Sequence, residues 1–423
     1  MNTRTKITIA LAGVSVLGGC LVDNLCVSAP DRSECQVSPT EGSLLLLSPR
    51  VPLQGGELAV KVEGMPVTVE ALLSPRGLGE KRVSLQRGLD GVWRTLVKPQ
   101  ELWPTIVPGP LPVRLITPSQ THDTTLRLFV PPVFGPDVSR SARVVWLSVV
   151  NRHVVTLEQG ATDRTFGDWT YQAPLLNRTG SVPAALGYIP PAIGAFGSTE
   201  SACLRLIPNG SAWQLQQSPL GELRYSDVES SLDYVLVTAL AVGKHGPGNL
   251  LAVAGEGGTG PALRGYRFPD GGTLPAQRLM IPMMTGPVGV MAVGLLDDNS
   301  DVDLVTIGKD GVPSVWLASA STLERDSVAS QSLAAQLGSE PVRSLAVADL
   351  DRDGLADVIV SRKSQLQWLA NQSDRTFAAP VVLVDLPDSA STLDVGTIDS
   401  NDSSDVVLGG PGLYLTVYLN QAP

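Results

Sequence analysis

The chain has 423 residues, enough for two or three domains, and carries 31 Lys and Arg against 41 Asp and Glu, a formal net charge of −10. That balance excludes nucleic acid as the main partner, because phosphate binding needs a basic footprint. An apolar content of 43% excludes disorder; 42 glycines and 33 prolines exceed the roughly 12% ordinary share and indicate a turn-rich, β-rich chain, and three histidines thin the case for imidazole catalysis.

The first element is an address. Residues 1–6 include Arg4 and Lys6, residues 7–16 are apolar and uncharged, and Leu17-Gly18-Gly19-Cys20 follows. A basic start, a short apolar run and small residues before a cut site form a secretory signal. The run is shorter than the roughly 20 residues of a membrane-spanning helix. The Leu-Gly-Gly-Cys ending resembles the lipobox of bacterial lipoproteins. That resemblance implies a signal peptide over 1–19 and a diacylglyceryl group on Cys20, which becomes the mature N-terminus anchored in a bilayer. Leu21 rather than Asp after the cysteine implies the outer membrane of the cell envelope. An ordinary signal with an incidental cysteine is the alternative. Residues 20–41 read as a tether, and in an exported chain Cys26 and Cys35 are candidates for a short-loop disulfide. Cys203, between Ala202 and Leu204, reads as a buried thiol.

Residues 42–133 read as a first domain of seven short strands, at 44–47, 57–62, 67–73, 82–85, 92–97, 113–116 and 124–130. Thr125-Leu126-Arg127-Leu128-Phe129-Val130 alternates with the period of a half-buried strand. Such spacing suits an antiparallel β-sandwich. The Pro49, Gly55-Gly56 and Glu57–Val60 stretch resembles the opening of bacterial immunoglobulin-like modules, which implies either a binding module or a spacer.

Residues 134–423 repeat. Leu345-Ala346-Val347-Ala348 opens a unit that reaches Asp357-Val358-Ile359-Val360, and related units open at 240, 291 and 393, spacings of 51, 54 and 48 residues. Arg164-Thr165-Phe166 and Arg375-Thr376-Phe377 lie 211 residues apart, about four such steps, which carries the repeat back to residue 160. Strands are expected at 202–207, 213–216, 366–369 and 381–384. A four-stranded unit of this length buries its faces only by stacking on its neighbours, so the expectation is an all-β chain ending in a β-propeller of about six blades. The last unit stops short, and residues 143–150 are expected to supply its missing strand. An open solenoid is the alternative.

Asp349-x-Asp351-x-Asp353-Gly354-x-x-Asp357 places carboxylates at positions 1, 3, 5 and 9 of a tight turn, with Gly at 6 and the Leu355 carbonyl at 7. All-oxygen donors suit Ca²⁺ better than Zn²⁺. Position 12 is Val360, not the Glu of an EF-hand. This repeat resembles the FG-GAP/VCBS family of integrin-α-type propellers and bacterial surface proteins. The resemblance implies Ca²⁺ held by Asp349, Asp351, Asp353, Leu355 and Asp357 as a structural staple. Weaker sites are implied at Asp297, Asn299, Asp301 and Asp303, where Leu295 replaces the first Asp, and at Asp399, Asn401, Ser403 and Asp405, where Thr397 does. The loop at Lys244-His245-Gly246 has no carboxylate and is expected to bind no metal. Turn-capping aspartates are the competing reading.

His122, His153 and His245 are scattered, and no nucleophile elbow, zinc helix or phosphate loop occurs. Trp146, Trp169, Trp213, Trp316 and Trp368 read as packing between repeats rather than as a sugar-stacking rim. The expectation is therefore non-enzymatic: binding, adhesion or scaffolding toward a protein or glycan. An envelope polysaccharide hydrolase or lyase is the alternative.

Overall fold

The computed structural model describes residues 44–422 apart from 64–65, 136–137, 141–142, 151, 160–163, 174, 184–191, 197–199, 210–211, 220–225, 233, 243–249, 258–259, 268–276, 280, 282–285, 300, 320, 387–390, 402 and 411–414. The proposed signal, tether, Cys20, Cys26, Cys35 and the loop at His245 lie outside the described residues. No helix among the described residues is long and apolar enough to cross a membrane.

The chain is all-β. The first eight strands are β1 (Leu44–Leu46), β2 (Arg50–Pro52), β3 (Gly56–Val62), β4 (Val69–Leu73), β5 (Lys81–Arg87), β6 (Trp93–Val97), β7 (Gly109–Ile116) and β8 (Thr121–Phe129); helix α1 (Pro99–Leu102) precedes β7. All seven expected strands are present. β2, too short to show periodicity, is additional and pairs in parallel with the last strand, β8. The strands form one sheet in the order β1-β3-β6-β5-β4-β7-β8-β2. It curls because β5 is shared: Lys81–Leu85 pair with β4, while Gln86 and Arg87 pair with β6. β7 alternates buried and exposed residues along most of its length. Its inward Leu111 and Leu115 pack with Leu58, Leu73, Leu126 and Leu128 in one core.

After β9 (Val138–Arg140) come four-stranded antiparallel sheets. The first three are β10 (Val144–Val150) to β13 (Leu175–Pro183) through β11 (His153–Gln159) and β12 (Arg164–Gln172); β14 (Ala192–Phe196), β15 (Glu200–Asn209), β16 (Ala212–Pro219), β17 (Ser226–Leu232); and β18 (Tyr234–Val242), β19 (Leu250–Gly257), β20 (Gly260–Arg267), β21 (Gln277–Leu279). The fourth is β22 (Val288–Gly294), β23 (Asp303–Gly308), β24 (Pro313–Ala318), β25 (Leu323–Asp326), followed by α2 (Ser327–Leu337). The fifth is β26 (Ser344–Ala348), β27 (Asp357–Ser361), β28 (Gln365–Leu369), β29 (Val381–Asp385). The sixth is β30 (Thr392–Gly396), β31 (Asp405–Gly409) and β32 (Leu415–Tyr418), completed by β9.

The first strand of each sheet adjoins the first strand of the next, and β30 returns to β10. Glycine makes that approach tight. A Cβ at Gly294 would meet Val347 Cγ1 at 2.5 Å, and one at Gly396 would meet Val149 Cγ1 at 2.9 Å. The Val-Gly shared by Met291–Gly294 and Leu393–Gly396 is thus a close-packing signal. The second strands β23, β27 and β31 are buried at nearly every position, because each lies inside its sheet and is covered by neighbours on both faces.

Two sequence expectations are corrected. The strand completing the last sheet is β9, with Val138, Ser139 and Arg140 opposite Val417, Thr416 and Leu415, not residues 143–150. Those residues are β10, the first strand of the first four-stranded sheet, whose buried Val144, Leu147 and Val149 pack against Val407, Leu415 and Val417 of the last. The repeated Arg-Thr-Phe is not one structural position: Phe166 lies in β12, whereas Phe377 lies beyond β28 and bridges to Asn371.

The curled sheet is docked on the later sheets rather than held away from them. The Val130 N–H donates to the Asp351 carbonyl (2.9 Å), Gln421 N–H donates to the Val133 carbonyl (2.6 Å), and Ala422 joins the core of the curled sheet.

Candidate metal centre

The loop between β26 and β27 is shaped by its own carboxylates. Asp349 accepts the N–H groups of Asp353 (3.1 Å) and Gly354 (2.9 Å), and Asp353 accepts that of Leu355 (2.8 Å). Gly354 has φ +91°, the left-handed conformation expected of position 6. Asp357, the first residue of β27, accepts from Leu350 (3.2 Å) and Asn371 (2.9 Å).

One oxygen each from Asp349, Asp351 and Asp353 lie within 4.8 Å of one another, and no other group of three metal-ligating side chains gathers this way among the described residues. Asp351 and Asp353 are fully buried, and Asp351 Oδ1 has no hydrogen-bond partner. Burial pushes Asp349 up to about 6, with the Asp353 charge adding to it. Burial also pushes Asp351 up to about 7, against the pull of Arg50, and raises Asp353 and Asp357. A buried acidic set with an orphaned oxygen and only oxygen donors fits a hard divalent cation. Leu355 is buried at the same turn.

Two arginines from the curled sheet reach this loop. Arg50 on β2 pairs through Nη2 with Asp351 Oδ2, its Nε lies 3.0 Å from Asp353 Oδ2, and its guanidinium stacks 4.5 Å from the Phe129 ring centroid. Its side chain is 5% exposed. Burial pulls its pKa down, but Asp351, Asp353 and Asp357 together more than reverse that. Arg127, the register partner of Arg50 across β2 and β8, donates to the Asp353 carbonyl (2.9 Å) and to Asp298 Oδ1. Arg50 therefore pairs with the Asp351 and Asp353 carboxylates, while Arg127 bridges this loop to Asp298. Sequence reasoning missed both arginines. The alternation over 125–130 places Arg127 on the face opposite the core, but nothing in the sequence says that this face is covered.

The two related loops close differently. Asp303 accepts from Leu296 N–H (2.8 Å) and Ala318 N–H (2.8 Å), and Asp405 accepts from Ile398 N–H (2.8 Å) and Asn420 N–H (2.8 Å). Position 9 is thus the same clamp in three sheets, tying the loop to the end of the third strand. Asn299 donates to the Ala318 carbonyl (3.3 Å) and to Asp297, and Asn401 donates to the Asn420 carbonyl (2.6 Å). Asp301 is held by Arg267 at 2.6 Å, Asp399 accepts from Asn401 N–H (3.0 Å), and Ser403 donates its N–H to Asn401 Oδ1 (2.9 Å). In both loops a side-chain amide closes the turn where the fifth sheet carries Asp353.

Trp169, Trp316 and Trp368 are buried on third strands; Trp316 Nε1 donates to Thr306 Oγ1 across the sheet (3.0 Å). They pack sheets and offer no open aromatic platform. His153 Nδ1 lies 2.8 Å from Asp168 Oδ1, which sequence spacing did not reveal because the pair forms across β11 and β12. Asp168 is shared with Thr179 Oγ1 (2.8 Å).

No protein-family model matches the sequence, and no curated protein does. Among solved structures, the chain is similar to AofleA from Arthrobotrys oligospora, at 12% identity and a TM-score of 0.45, covering 68% of this chain and 87% of that one. A mutant of the same protein gives 13% identity and a TM-score of 0.46. The Photorhabdus luminescens Tc holotoxin pore aligns over 82% of this chain but 17% of its own, at 12% identity and a TM-score of 0.35.

Proposed function

We propose that the chain is a lipid-anchored envelope protein in which an immunoglobulin-like β-sandwich, residues 42–133, precedes a six-bladed FG-GAP/VCBS-like β-propeller, residues 134–423, that serves as a binding, adhesion or scaffolding module for a protein or glycan. The observation that carries this reading is the ring order of the four-stranded sheets, in which first strands adjoin in sequence, β30 returns to β10, and β9 completes the last sheet. Closure of this kind leaves only short edges, which supports the propeller reading. Ca²⁺ is the cation proposed for Asp349, Asp351, Asp353 and the Leu355 carbonyl, with Asp357 fixing the loop. It acts as a structural staple that neutralises carboxylates the fold has already buried. The loops at Asp297–Asp303 and Asp399–Asp405 are read as metal-free, since their own amides close them. Cys20 is the proposed acyl anchor in the outer membrane.

The staple is tested by a melting scan of the full chain with Ca²⁺ and with chelator. At a free Ca²⁺ concentration of 100 times the dissociation constant, linkage stabilises the folded state by about 2.7 kcal/mol. An unchanged midpoint removes the metal from the reading. Mass spectrometry of the mature N-terminus tests the anchor, and an unmodified terminus other than Cys20 refutes it.

A further inference from the structure

We infer that Arg50 and a divalent cation compete for the same carboxylates, so that metal loading of the 349–357 loop is coupled to docking of the first domain. This inference rests on the metal reading above. Its argument is the division of labour within the loop. Asp349 gives its two oxygens to the N–H groups of Asp353 and Gly354, and Asp357 gives its two to Leu350 and Asn371. The carboxylates least committed to the backbone are Asp351 and Asp353, and these are the two that Arg50 holds. A guanidinium and a dication on the same pair of carboxylates repel each other in a site shielded from water. Ca²⁺ bound through Asp351 and Asp353 therefore displaces Arg50 toward the Phe129 ring, on which it already stacks. The displaced contact lies beside the Val130 N–H bond to the Asp351 carbonyl, one of the bonds that hold the curled sheet to the fifth sheet. Without metal, Arg50 serves as the internal counter-ion of the loop and the domains are latched. With metal, the latch at β2 and β8 loosens, while the Asn420 and Ala422 contacts keep the domains joined.

Calorimetric Ca²⁺ titration of the full-length wild type, Arg50→Gln and Arg50→Lys tests this. Removing the competing charge is expected to tighten Ca²⁺ binding about tenfold in Arg50→Gln, whereas the charge-preserving Arg50→Lys stays near wild type. Equal affinity in wild type and Arg50→Gln, or weaker binding in the variant, overturns the competition while leaving the metal reading intact. Binding by none of the three overturns both. Wild-type hydrogen exchange gives a second readout that needs no variant to fold: Ca²⁺ is expected to speed exchange of the Val130 amide severalfold, and an unchanged or slower rate overturns the coupling.

Discussion

Replacing Asp303 by Ala separates the clamp role of position 9 from metal binding. The Asp303 carboxylate accepts two buried main-chain N–H groups, those of Leu296 and Ala318, each at 2.8 Å, and is itself fully buried. Deleting it strands both donors, and each costs about 1–3 kcal/mol when left unsatisfied, so the expected loss is about 2–6 kcal/mol. Burial pushes Asp303 up to about 7, so at alkaline pH the wild type also bears the cost of burying a charge, which the variant escapes. The loss is therefore expected to be larger near pH 5.5 than near pH 8, both on the order of the usual working range. Asp303→Asn retains one acceptor and is expected to lose about half as much. Urea unfolding of wild type and both variants, each with Ca²⁺ and with chelator, measures this. A loss below about 1 kcal/mol, or one that vanishes in chelator, refutes the clamp.

Asn420 accepts N–H groups from Val133 and Ala422 through Oδ1 and donates Nδ2 to the Leu350 carbonyl, so Asn420→Ala is expected to cost about 2–4 kcal/mol and to speed proteolysis at the C-terminus; unchanged cleavage argues against this anchor. Metal-free stability is expected to fall as pH rises. Burial holds Asp303 at about 7 and Asp405 at about 6, above the ordinary carboxylate value of 3.8, so the folded state binds these protons more tightly than the unfolded chain. That contribution is complete below the ordinary value and is lost as pH passes through the folded ones. Thermal scans in chelator across roughly pH 5 to 8 check the sign, and a rising midpoint contradicts it.

Local structure was legible where a pattern had the period of a strand or the spacing of a turn, but not in the repeated Arg-Thr-Phe. Alternation at 125–130 marked β8, and the turn of the acidic loop with its left-handed Gly354 was legible, because alternating Asp residues and a glycine encode a turn without reference to anything distant; the left-handed Arg352 was not. The unit starts at Leu240, Met291, Leu345 and Leu393 marked β18, β22, β26 and β30. β2 and β9 escaped notice, since three-residue strands carry no period and exist only because β8 and β32 present free edges to them.

The sequence alone therefore determined the all-β class, the repeat and the carboxylates of one loop, since each depends on residues within a few positions of one another. Only the tertiary structure decided what those carboxylates meet. Arg50 is 301 residues from Asp351, and Asn420 is 70 from Leu350. No local pattern encodes which distant cation neutralises a buried acid. That is settled by which faces the fold presses together, and by the high cost of leaving a charge buried without a partner.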